Sequence, residues 1–180
     1  MSKLVESTFV TLDGVISNPQ EWSPPYWDDE HAAYASTLLS AADALLLGRA
    51  TYEGFVQAWP SRGGNEYADR INAMPKYVAS RSLDEATWNA TILDGDVAAK
   101  VAELKSEPGE DLLKFGTGEL DRTLIEHGLV DEFHFWIFPV LAGSGQTLID
   151  GIDQTHLKLV ETTRFGSGIV VNTYVPKADA

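Results

Sequence analysis

Short apolar runs alternate along the chain with stretches whose apolar residues recur three or four apart, the signature of strands interleaved with helices. Leu4 to Thr11, with Val5, Thr8, Phe9, Val10 and Thr11, predicts a central strand, and Asp13-Gly14 ends it as a turn pair. Tyr34, Leu38, Leu39 and Ala42 recur at helix spacing behind Asp28, Asp29 and Glu30, acids that suit a helix N-terminus. Ala44 to Leu47 is a short run buried on both faces, Gly48 ends it, and a helix-compatible segment follows at once. Glu66 to Met74 is a second amphipathic segment, Lys76 to Ala79 a strand, Thr91 to Leu93 a weaker strand, and Asp96 to Lys105 a helix. Leu112 to Phe115 is a strand broken by Gly116-Thr117-Gly118, and Leu120, Leu124 and Ile125 mark a helix ending near His127-Gly128. Phe133 to Val140, Leu157 to Phe165 and Ile169 to Val175 are strands with no helix between them, the last two joined by a Gly166-Ser167-Gly168 hairpin. The pattern predicts an α/β fold: parallel strands alternating with helices, then antiparallel strands added at the edge.

The chain's 180 residues, 44% of them hydrophobic, fit one domain, residues 1–180, with a substantial core. A net charge of −14, from 13 basic and 27 acidic residues, repels polyanions and argues against nucleic acid as a partner, while leaving room for a small phosphate-bearing ligand. The absence of cysteine excludes disulfides, thiolate nucleophiles and cysteine metal sites, and fits a cytoplasmic protein. Met1 to Val10 lacks the apolar core of a signal peptide, and no run reaches the roughly 18 apolar residues of a membrane span. The four histidines show no metal-ligand spacing, so no metal site is expected.

Three predicted strands end in groups suited to phosphate: Gly48-Arg49-Ala50-Thr51, Ser80-Arg81 and Gly116-Thr117-Gly118. Arg49 stands in a first helical turn, where the macrodipole disfavours a cation, so an anion is expected nearby. Glu53, four residues on, is one such partner, and a ligand phosphate held jointly with Thr51 and free backbone N–H groups is the other. If the three strands are parallel neighbours, these segments meet on one sheet edge, where open α/β sheets bind ligands. Between Ile16 and Trp27, three prolines interleave with Trp22, Tyr26 and Trp27, forming either a lid or binding wall or a cover for one end of the core. Trp59 is likewise a core plug or a ligand wall.

In combination these segments resemble the dihydrofolate reductase superfamily, and more closely its bacterial branch with the riboflavin-biosynthesis (RibD) C-terminal reductase domain. The resemblance is carried by Thr11-Leu-Asp-Gly-Val-Ile16, Ala44-Leu-Leu-Leu-Gly-Arg-Ala-Thr-Tyr-Glu53, Pro75-Lys-Tyr-Val-Ala-Ser-Arg81, Gly116-Thr-Gly118, Gly128-Leu-Val-Asp-Glu132 and Pro139-Val-Leu-Ala-Gly143. It implies a three-layer α-β-α domain with a mixed, mostly parallel sheet and NADPH across its carboxyl edge. Carried over by position, Gly48, Arg49 and Thr51 would hold phosphate, Ser80 and Arg81 would lie at the adenosine 2'-phosphate, Gly116, Thr117 and Gly118 would approach the pyrophosphate, and Val10 and Ile16 would border the nicotinamide. A carboxylate in the first helix grips the pteridine in true dihydrofolate reductases, but counting back from Gly48 puts Ala32 there, with Asp28 and Asp29 about one turn earlier. Asp28 and Asp29 are therefore the candidate proton donors, and Trp22, Trp27 and Trp59 the candidate substrate wall. The resemblance implies hydride transfer from NADPH to a small substrate, heteroaromatic (pterin- or aminopyrimidine-like) or carbonyl. The alternative is a nucleotide-binding module of the same fold without turnover, as a homodimer joined through the late strands.

Overall fold

In the computed structural model, residues 1–178 are described. Its elements follow one another as β1 (Leu4–Thr11), α1 (Pro19–Trp22), α2 (Asp29–Ser40), β2 (Ala42–Gly48), α3 (Arg49–Ala58), α4 (Glu66–Ala73), β3 (Lys76–Ala79) and β4 (Ala90–Leu93), then α5 (Val97–Ser106), β5 (Asp111–Phe115), α6 (Glu119–Glu126), β6 (Glu132–Phe138), β7 (Leu157–Arg164) and β8 (Val170–Pro176). The strands form one eight-stranded sheet in the order β4-β3-β2-β5-β1-β6-β8-β7. Pairing is parallel from β4 through β6 and antiparallel for β6-β8 and β8-β7. The predicted elements are all present, with one difference of direction. β6 runs parallel to β1, because α6 crosses over before it; β8 alone runs against the others, antiparallel to both β6 and β7.

Alternation along β2 divides the core. Leu45 and Leu47 face one layer with Leu39 of α2, Tyr52 of α3 and Ile71 of α4, while Ala44 and Leu46 face the other with Val101 of α5 and Leu124 of α6. A strand buried on both faces needs apolar side chains at every position, which the run Ala44 to Leu47 supplies. The result is the three-layer α-β-α arrangement. A third cluster, Trp136, Phe138, Phe165, Ile169 and Val171, joins β6 and β8 to α2. No helix among the described residues is long and apolar enough to cross a membrane.

Candidate active site at the carboxyl edge of the sheet

The order β3-β2-β5 makes the three phosphate-suited segments neighbours. Gly48 pairs with Ala79 in parallel register, so Ser80-Arg81 leaves the sheet beside Gly48-Arg49. On the other flank of β2, Leu46 pairs with Lys114, two residues before Gly116. A Cβ on Gly116 would lie 3.5 Å from Thr51 Oγ1, so the glycine turn touches the first turn of α3. Gly116 also has φ +71°, a left-handed conformation that a side chain would strain. Gly48 is the N-cap of α3, and no side chain caps that end. Its first-turn N–H groups therefore point at the edge without a side-chain acceptor.

Of the two partners expected for Arg49, the structure shows Glu53. The Arg49 Nε donates to Glu53 Oε1 at 2.8 Å, the surface pair that the i,i+4 spacing predicts, and Nη1 donates to Ser82 Oγ, which draws the guanidinium toward the end of β3. The Arg49–Glu53 pair is half exposed and contributes little to stability. Ser80 Oγ accepts from the N–H groups of Ser82 and Leu83, at 3.3 and 3.0 Å, and fixes the turn that carries Arg81. Beyond it lies a cleft of about 520 Å³ bounded by Ser80, Arg81, Leu83, Asp84, Ile92 and Asp94. The glycine turn differs from a simple row of free donors. Gly116 N–H donates to Ser7 O at 3.0 Å and Gly118 N–H to Asp121 Oδ2 at 2.5 Å, so the glycines supply close approach, not hydrogen bonds.

The other end of the edge is aromatic. Phe9 of β1 meets His31, Trp136 and Phe138 with ring centroids 5.6, 5.2 and 4.9 Å away. Trp22 packs edge-on to Phe138 and its Nε1 donates to Ser17 O at 3.0 Å, while Trp27, 52% exposed, stacks on His31. Trp22 and Trp27 thus share one aromatic group with α2. Trp59 does not join them: it packs against Phe55 and Tyr67, beneath the guanidinium of Arg62, in the cluster between α3 and α4. Asp28 is the N-cap of α2, accepting from His31 N–H at 2.8 Å, and this bond holds its carboxyl below the usual range. Asp29 is exposed in the first turn of α2, and Ala32 is exposed one residue beyond His31. Since Asn caps as well as Asp, Asp28→Asn is expected to leave the thermal midpoint close to that of the wild type. A fall in turnover without a fall in that midpoint would then isolate a proton-donor role.

Residues 2–171 match the RibD C-terminal domain family. The chain belongs to that family. The uncharacterized protein YyaP of Bacillus subtilis (strain 168) is 32% identical over 180 residues, covering 96% of this chain and 94% of its own. Solved structures show the same fold at low identity. A pyrimidine reductase-like protein from Corynebacterium diphtheriae has a TM-score of 0.72 at 14% identity, covering 99% of this chain and 93% of the other. Dihydrofolate reductase from Enterococcus faecalis, complexed with NADP(H), has a TM-score of 0.65 at 17% identity, covering 98% and 97%.

In this RibD C-terminal domain, Val10 is buried near the end of β1 and Ile16 is half-buried in the loop that follows. That loop is clasped to residues 142–147. Asp13 accepts from Thr11 Oγ1 and from the N–H groups of Ala142 and Gly143, at 2.5, 3.0 and 2.8 Å, which pull its carboxyl down to about 2. Ile16 N–H donates to Gln146 O at 2.9 Å, and a Cβ on Gly145 would come within 2.6 Å of Ser17 Oγ. Asp13, Ser82 and His31 are not among the candidate site residues that the sequence offers. Asp13-Gly14 reads there only as a turn, and each of the three also has partners distant in sequence, Ala142 and Gly143 for Asp13, Arg49 for Ser82, and Phe9 and Trp136 for His31, out of reach of local patterns.

Proposed function

We propose that this RibD C-terminal domain is an NADPH-dependent reductase acting on a small heteroaromatic substrate of pterin or aminopyrimidine type, or on a small carbonyl. One observation carries the reading: β3, β2 and β5 are parallel neighbours whose ends put Ser80-Arg81, Gly48-Arg49-Thr51 and Gly116-Thr117-Gly118 on a single edge. The dinucleotide supplies the hydride. In this reading the Arg81 guanidinium and the Ser80 turn take the 2'-phosphate at the mouth of the 520 Å³ cleft. The uncapped first turn of α3, with Arg49 and the Thr51 hydroxyl, takes phosphate oxygens. The glycine turn lets the backbone come close to the pyrophosphate, and Val10 and Ile16 border the nicotinamide. Phe9, Trp22 and Trp27 offer flat apolar surface for a ring to stack on and keep water from it.

The fit is tested by titrating NADPH and NADH against tryptophan fluorescence in the wild type and in an Arg49→Ala/Arg81→Ala double variant. Saturable NADPH binding, preferred over NADH and weakened about 10-fold or more in the variant, is the expected result, since each charge-assisted bond is worth about 1.5–3 kcal/mol. A wild type that does not saturate with NADPH sinks the proposal.

A second reading, a nucleotide-binding module without turnover, is favoured by the first-helix acids: Asp28 is engaged as an N-cap and Ala32 carries no carboxyl. NADPH binding with no hydride transfer to any pterin, flavin or aminopyrimidine would select it. Either form would pair as a homodimer through the edge strand β7, where Leu159 and Val160 are 51% and 57% exposed, and light scattering at the monomer mass would exclude this.

A further inference from the structure

A buried charge cluster lies directly beneath the glycine turn. Lys114 Nζ, on a side chain 3% exposed, donates to Gly116 O at 2.5 Å and to Asp121 Oδ2 at 2.9 Å. Asp121, fully buried, accepts from Gly118 N–H through the same oxygen at 2.5 Å. Its Oδ1 lies 2.8 Å from the ammonium without taking a hydrogen bond from it. One ammonium and one carboxylate thus hold both ends of a three-residue turn. A third member stands opposite, because Glu6 of β1 is the cross-strand neighbour of Lys114 and is also fully buried. Burial pushes the Glu6 carboxyl well above its ordinary range, and the neighbouring Asp121 adds to that shift.

We propose that the Lys114–Asp121 pair is the positioning element of the Gly116–Thr117–Gly118 turn, holding it in the shape and charge state that receives the dinucleotide pyrophosphate. Both parts follow from the geometry. Without Asp121 nothing fixes Gly118 N–H, and the turn, with Gly116 at φ +71°, loses the contact that sets its direction. Without Lys114, a buried carboxylate would face an incoming dianion at a separation where low dielectric strengthens repulsion. Neither residue needs to touch the ligand. The inference rests on the NADPH reading above and adds to it residues that no phosphate-binding pattern contains.

Binding of two probes separates positioning from general damage. NADPH spans the glycine turn, whereas adenosine 2'-monophosphate reaches only the Ser80-Arg81 end. The dissociation constants of both are measured by NMR titration and competition for the wild type, Asp121→Asn, and a triple Glu6→Leu/Lys114→Met/Asp121→Leu variant. The triple variant replaces the cluster with apolar groups, a change buried ion pairs often tolerate, and Asp121→Asn keeps the shape should the triple variant not fold. The expected result is an NADPH affinity lowered about 10-fold or more with the adenosine 2'-monophosphate affinity within about 2-fold. In the free protein, the Gly118 amide is expected to exchange faster in the triple variant, where no side chain accepts from it. Unchanged NADPH affinity in a folded variant, or equal loss of both probes, overturns the positioning role while leaving the NADPH reading intact. A wild type that binds adenosine 2'-monophosphate but not NADPH overturns it together with that reading.

Discussion

Glu6→Gln is expected to stabilise the folded chain at pH 8, and the gain is expected to vanish as the pH falls toward 4.5. Desolvation of a fully buried carboxyl raises its pKa, with Asp121 adding to the shift and Lys114 opposing it. Below the ordinary value of 4.5 both the folded and the unfolded chain carry the Glu6 proton, and the residue has no effect on the balance. Above it the unfolded chain releases the proton while the folded chain keeps it. The folded state then binds more protons, so stability falls as pH rises, by up to about 1.4 kcal/mol for each pH unit until the folded pKa is reached. Glutamine has no proton to lose, and its amide can still donate toward Asp121. The net charge of −14 also makes stability depend on pH, but it acts on both proteins nearly alike, so their difference isolates Glu6. Urea midpoints from pH 4.5 to 8 measure it. Parallel curves for the two proteins would mean that Glu6 titrates in the fold as it does in water.

The elements were legible because each carries its own period. The run Ala44 to Leu47 is continuous, as a strand covered on both faces must be, and Asp28 and Gly48 stand at helix starts as caps. Strand order was not legible in the same way. That Ser80, Gly48 and Gly116 meet depends on β5 entering between β2 and β1, a choice made by pairing across about seventy residues of chain. The direction of β6 was less legible for a related reason: residues 127–131 separate α6 from β6, and a helix immediately before a strand is a crossover even when no helix follows. Least visible was the buried cluster. Lys114 lies in a run, Leu112 to Phe115, that reads as apolar, and Asp121 looks like any acid in the first turn of a helix. Only the register Glu6 to Lys114 and the return of α6 over β5 put the three together. Lys76 is a similar case, a buried lysine at the start of a strand, whose ammonium meets Asn72 O at 3.0 Å and the ring of Trp88 at 3.9 Å.

Trp136→Ala is expected to cost about 3–5 kcal/mol of folding stability, the range found when a large buried ring is removed. Trp136 is 1% exposed and forms the floor of the aromatic group, with ring centroids 5.2 Å from Phe9, 5.1 Å from His31, 5.0 Å from Tyr34 and 5.7 Å from Phe165. Its Nε1 also donates to Ser7 Oγ at 3.0 Å, and that hydroxyl, itself buried, loses its partner in the variant. The neighbours come from β1, α2 and the turn before β8, elements fixed by separate parts of the sheet, so they cannot move inward together to fill the space. Trp136→Phe keeps part of the ring contact while removing the donor, and its cost is expected to be well under that of alanine. The two urea midpoints distinguish packing from hydrogen bonding, and an alanine variant within about 1 kcal/mol of the wild type would show that the floor collapses after all. Loss of the floor also unseats Phe9 and His31, on which Trp27 stacks. In the proposed reductase, a substrate ring held against these side chains is expected to bind more weakly in the alanine variant than in the phenylalanine one, a difference that would tie the packing of β6 to the proposed substrate end of the edge.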